Sequence, residues 1–146
     1  MADVGGCKSM TEDGPIAEQI LIVEDNTETS QLLELMLRHA GYRVRVVKSY
    51  AAALAAIEEA PYLLYLLDQN LNGVGTGIDL CRRIKAIDVN VPVVFCSAQD
   101  DPFTKAAADA AGCDFYLVKP SDTLSLIPVV RTMLAMRATP GSALLK

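Results

Sequence analysis

No apolar run in these 146 residues approaches the roughly 20 that a membrane-spanning helix needs. The longest candidates, Tyr62 to Leu67 and Ile127 to Met136, are short or broken by Pro128 and Arg131. No basic start leads into an apolar stretch, so the N-terminus does not read as a secretory signal. Val4-Gly5-Gly6-Cys7 has the outline of a lipoprotein cleavage box but lacks the hydrophobic segment that must precede one. Basic residues are scarce too: 13 Lys and Arg stand against 18 Asp and Glu, a net charge of −5. That balance argues against a surface built to neutralise phosphate backbones, so direct nucleic-acid binding is not expected. Cysteine pairing is missing as well. Cys7, Cys81, Cys96 and Cys113 form no CxxC, and three of them lie in apolar segments, as reduced thiols of a cytoplasmic chain would. His39, the one histidine, stands just before Gly41 at a helix end and reads as a surface residue.

What is present is apolar and alternating. Hydrophobic residues make up 51% and charged ones 21%, enough for one core and too much for global disorder. Residues 1–17 read as a flexible leader and 138–146 as a tail. Between them, apolar runs at Gln19–Glu24, Tyr42–Val47, Tyr62–Leu67, Val91–Cys96 and Phe115–Val118 read as strands. Helical stripes lie between and after them: Leu33, Met36, Leu37 and Ala40; Ala53, Leu54, Ile57 and Ala60; Leu80, Ile84 and Ile87; then roughly Pro102–Ala111 and Asp122–Arg137. Five strands alternating with five helices predict an α/β fold with a doubly wound parallel sheet, since parallel strands need crossover helices.

The informative residues stand where the strands end. Strand one runs into Glu24-Asp25, strand three into Asp68, strand four into Ser97 and strand five into Lys119-Pro120. In an open doubly wound sheet the ligand site lies off the carboxyl ends of the strands, where the strand order reverses. With the order 2-1-3-4-5, Asp25 and Asp68 face each other. Three carboxylates gathered there repel by about 4 kcal/mol per pair at 4 Å and an effective dielectric near 20. They need cations, and an all-oxygen set suits Mg²⁺ rather than zinc. Lys119 adds a positive charge, and a carboxylate so placed can attack phosphorus to form an acyl phosphate. Asp68, last on the most apolar strand, is the best nucleophile, with Ser97 and nearby amides able to donate to the phosphoryl oxygens.

These segments resemble the receiver domains of two-component response regulators, a CheY-like, (βα)5 flavodoxin-like family. LIVED at 21–25, LLDQNLNGVGTGIDLCRRI at 66–84, VPVVFCSAQ at 91–99 and DFYLVKP at 114–120 match its four motifs in order, and the resemblance covers residues 18–137. It implies that Asp68 is the phosphoacceptor, Asp25 a direct Mg²⁺ ligand, Glu24 a ligand through water, and the Asn70 backbone carbonyl a further ligand. Lys119 would pair with the phosphoryl group and precede a cis peptide bond to Pro120. Ser97 and Tyr116 would be the switch residues, and Asn70 and Gln99 would set the phosphoryl lifetime. The implied partners are a sensor histidine kinase or histidine phosphotransfer protein, docking near helix one, and a second copy or output protein at helix four, strand five and helix five.

Two departures from the family pattern fall together: Asn72 stands where proline is common, and the glycine of Gly73-Val74-Gly75-Thr76-Gly77 comes one residue late. A more mobile loop is expected there. Blander readings exist for single residues: Asp25 as a helix cap, Tyr116 as a packed aromatic. The GxGxG run follows the third strand and lacks the GxGxxG spacing of a dinucleotide site. Two other functions compete. A small Mg²⁺ phosphatase with an aspartyl-phosphate intermediate, resembling the haloacid dehalogenase family, wants a second Asp where this chain has Asn70. A pseudo-receiver would bind protein without being phosphorylated. The expected behaviour is that of a switch, with self-phosphorylation and slow self-dephosphorylation, rather than of a turnover enzyme.

Overall fold

A computed structural model describes residues 10–11, 14–15, 18–71 and 75–138. Five strands form one parallel sheet: β1 (Gln19–Val23), β2 (Arg43–Val47), β3 (Leu64–Leu67), β4 (Val93–Ser97) and β5 (Phe115–Val118). Their spatial order is β2-β1-β3-β4-β5, the expected order under which Asp25 and Asp68 face each other. The helices are α1 (Thr27–His39), α2 (Tyr50–Glu59), α3 (Gly77–Ile87), α4 (Pro102–Ala110) and α5 (Leu126–Ala138). Within the segment read as a leader, Met10–Thr11 pairs antiparallel with Gly14–Pro15. The rest of that leader, the tail beyond Ala138, Cys7 and the departure at Asn72 to Val74 lie outside the described residues.

Pleating divides the sheet residues between two cores, because successive side chains on a strand point to opposite faces. Leu21, Val23, Tyr65, Leu67, Val93 and Phe95 pack with Ala53, Ile57, Leu80, Ile84 and Ala108 of α2, α3 and α4. Ile20, Ile22, Leu64, Leu66, Val94, Cys96 and Leu117 pack with Leu33 and Leu37 of α1 and Leu126 and Val130 of α5. The three central strands are buried at every residue, which is why their sequences read as continuous apolar runs. Edge strand β2 keeps arginines at 43 and 45, tied to Glu18 and Glu59.

Helix boundaries follow local chemistry. Asn26, rather than Asp25, caps α1, its side chain accepting from Thr29 N–H at 2.8 Å. Ser49 and Asp101 cap α2 and α4. Gly41 takes φ +99° after α1, a conformation that favours glycine, and the Tyr42 N–H reaches back to the Leu37 carbonyl. A 3₁₀ turn at Thr123–Ser125 precedes α5, so this helix starts four residues later than the sequence implies. Pro128 then falls in the first turn, where its missing N–H costs nothing.

One inward residue is corrected: Ile87 is 56% exposed. It closes the last turn of α3, beyond the part of the helix that packs on the sheet. Leu66, fully buried on β3, supplies a stability test. Leu66→Ala is expected to lower the unfolding free energy by about 3 kcal/mol in urea titrations. Leu35→Ala, on the exposed side of α1, should change it by less than about 0.5 kcal/mol.

Candidate functional site

Each strand-end residue is held by an extension of the ladder. Glu24 N–H donates to the Val47 carbonyl at 3.1 Å, Asp68 N–H to Val23 at 3.0 Å, and Lys119 N–H to Ser97 at 2.9 Å. Pleat parity then sets their direction. Glu24 continues Ile20 and Ile22, Asp68 continues Leu64 and Leu66, and Lys119 continues Leu117, all on the α1 and α5 face.

The three polar side chains therefore meet. Glu24, Asp25 and Asp68 each offer a carboxylate oxygen within 4.8 Å of the others. Lys119 Nζ lies 2.6 Å from Glu24 Oε1 and 3.4 Å from Asp68 Oδ2. Asn26 N–H donates to Glu24 Oε2 at 3.2 Å, and Asn70 N–H to Asp68 Oδ1 at 3.4 Å. These groups open onto a cavity of about 390 Å³, lined also by Thr29, Leu32, Leu33, Ala98, Pro120 and Thr123. The Lys119–Pro120 peptide is cis, as the motif implies.

Charge is in surplus here. Burial, joined by repulsion from Asp68, raises the Glu24 carboxyl to about 7 against the pull of Lys119 and the Asn26 amide. Burial alone would lower the Lys119 ammonium, but its bond to Glu24 and the charges of Asp68 and Glu24 hold it above its ordinary value. Oxygen-only donors, crowded and partly neutralised by one lysine, fit a hard divalent cation. Cys96, on the same sheet face, is no rival ligand: burial pushes its thiol up to about 12.

Ser97 and Tyr116 occupy the opposite parity, beside Phe95 and α4. Ser97 Oγ accepts from Gln99 N–H at 3.2 Å, while the Tyr116 hydroxyl donates to the Gln99 carbonyl at 2.6 Å. The Tyr116 ring stacks on Phe95 at 5.5 Å with an interplanar angle of 4°. Gln99 thus joins these two through its backbone and stands outside the cavity lining, whereas Asn70 is exposed within it. Sequence reasoning passed over Gln69, whose Oε1 accepts from Ile78 N–H at 2.9 Å. A second polar residue, directly after Asp68 at the end of the apolar run LYLL, was the available signal.

Residues 20–131 match the family described as the response regulator receiver domain. The chain belongs to that family. Response regulator ArlR of Staphylococcus epidermidis is 34% identical over 115 residues, covering 79% of this chain and 52% of that protein. DNA-binding response regulator MtrA of Mycobacterium tuberculosis is 34% identical over 117 residues, covering 80% and 50%. The chain therefore spans about half the length of these curated relatives. Among solved structures, a putative response regulator from Chloroflexus aurantiacus is 34% identical, with a TM-score of 0.74, covering 81% of this chain and 98% of that one. A CheY-like receiver domain protein from Methanospirillum hungatei, 23% identical, shares the fold with a TM-score of 0.78 over 84% of this chain and 98% of that one. As a receiver of two-component signalling, the chain does not favour the phosphatase reading or the pseudo-receiver reading. Among the described residues no helix is long and apolar enough to cross a membrane.

The carboxylate surplus predicts a stability effect. Glu24 holds its proton more tightly folded than unfolded, so its contribution is fully present below pH 4.5 and is lost as pH rises through 7. Asp68→Asn removes a repelling charge. In calorimetry without divalent metal, this variant is expected to melt a few degrees above wild type at pH 8, with the gap closing toward pH 5.

Proposed function

We propose that Asp68 accepts a phosphoryl group from a phosphohistidine on a partner protein, a sensor histidine kinase or a histidine phosphotransfer protein. In that step the Asp68 carboxylate forms the O–P bond as the P–N bond breaks, and the imidazole leaves with the electron pair. The observation that carries this reading is Lys119 Nζ lying against both Glu24 and Asp68, inside a three-carboxylate cluster. A single cation so shared can follow the phosphoryl oxygens as they arrive at Asp68.

Asp25 and Asp68 would hold Mg²⁺ directly, with Glu24 acting through water and Asn70 through its carbonyl. When bound, Mg²⁺ supplies charge neutralisation to the phosphoryl oxygens in the transition state. Lys119 orients those oxygens, and Leu32, Leu33 and Pro120 line the cavity beside them. Ser97, whose hydroxyl accepts from Gln99 N–H on the α4 face, would swing toward the phosphoryl group once it forms and donate its hydroxyl proton to it, and Tyr116 would respond through Gln99. The phosphoryl lifetime falls in this reading to Asn70, exposed in the cavity, and to Gln99, just outside its lining, with slow hydrolysis making the chain a timed switch rather than a turnover enzyme.

The output face in this reading is formed by α4, β5 and α5, where Phe103 is 88% and Phe115 43% exposed. Its occupant would be a second copy or an output partner. MtrA carries DNA binding in its name as a whole protein. We place direct nucleic-acid contact outside these residues, whose net charge is −5. A cytoplasmic setting, a receiver spanning 18–137 and flanking leader and tail segments belong to the same proposal.

Incubation with acetyl phosphate and Mg²⁺, read by intact mass, is expected to add one phosphoryl group to wild type and none to Asp68→Asn. Lys119→Met should slow the addition by about 100-fold. Turnover of ordinary phosphomonoesters, or no adduct with any acyl or amido phosphate donor, would sink the proposal.

A further inference from the structure

The start of α3 is tied off completely, and half of the ties come from one residue. The first N–H groups of a helix have no partner within it. At α3 a capping box serves two of them: Thr76 Oγ1 accepts from Asp79 N–H at 3.3 Å, and Asp79 Oδ2 accepts from Thr76 N–H at 2.9 Å. Gln69 serves the other two. Its backbone carbonyl accepts from Gly77 N–H at 3.0 Å, and its Oε1 accepts from Ile78 N–H at 2.9 Å.

Gln69 also stands between Asp68 and Asn70. Asp68 is fixed upstream by its N–H bond to Val23, and Asn70 is joined to the Asp68 carboxylate. The helix start lies directly on this segment: a Cβ on Gly77 would come 2.2 Å from the Asp68 carbonyl oxygen. The start of α3 is thus held against the Asp68–Asn70 segment by the two oxygens of Gln69, while Asn70 is held by the Asp68 carboxylate.

We propose that Gln69 is a positioning residue for the Asp68 site. By gripping the first turn of α3 with both oxygens, it fixes the peptides of Asp68 and Asn70, and so the oxygens they offer to a divalent cation and a phosphoryl group. This rests on the phosphoacceptor reading above.

Gln69→Met keeps side-chain length and removes the Oε1 acceptor. Gln69→Glu keeps an acceptor oxygen that a helix start favours. The measurements are Ile78 amide exchange by NMR, the Mg²⁺ dissociation constant by titration, and the initial rate of Asp68 phosphorylation by acetyl phosphate at saturating Mg²⁺. In Gln69→Met, Ile78 exchange should quicken and the phosphorylation rate fall, each by about tenfold, with Mg²⁺ binding weakened about threefold. Gln69→Glu should restore Ile78 protection. Unchanged Ile78 exchange in Gln69→Met overturns the proposal, as does faster exchange with wild-type Mg²⁺ affinity and rate, which would leave Gln69 a helix cap only. If wild type takes no phosphoryl group, the phosphoacceptor reading fails, while Ile78 exchange and Mg²⁺ affinity still decide the role of Gln69.

Discussion

Pleat parity is the constraint on which the site depends. Parallel register sets Ile22 beside Leu66, and one alternation further along each strand brings Glu24 and Asp68 to the same face. Lys119 arrives there by the same count from Leu117. A slip of one residue in any of these strands would turn its polar end toward α2, α3 and α4 and dismantle the cluster. The all-apolar central strands therefore do more than fill two cores, because their burial on both faces makes such a slip costly.

Crowding three carboxylates has a cost that the fold carries in the absence of metal. Glu24 shows it most plainly, raised toward neutrality although it touches a lysine and a backbone amide. A scaffold that tolerates this is poised for incoming positive charge. Part of the acidity that seemed only to exclude nucleic acid has a local use: Glu24, Asp25 and Asp68, three of the 18 acids, are set where they repel.

Most of the fold and the main site residues were legible because both rest on short-range signals. Polar residues directly after QILIV, YLL and FYLV mark the strand ends, and Gly41 and Pro61 mark helix stops. Asp25 carried a blander reading as a helix cap, but the turn geometry gives that role to Asn26, which the sequence reading did not weigh. Ile87 misled because its periodicity is right, yet the helix outruns the sheet beneath it. Gln69 was missed for a different reason. Its partner lies nine residues on, across a loop, and no periodic pattern encodes such a contact.

Ser97 and Tyr116 grip Gln99 from its two ends, one at the N–H and one at the carbonyl. Both contacts are with main chain, so they ask nothing of the side chain at that position. The half-exposed side chain at 99 can therefore change freely while the connection between serine and tyrosine stays intact. Two properties that meet at one residue are thereby separable in evolution: the linkage is written in the backbone, and whatever the side chain does is written independently of it.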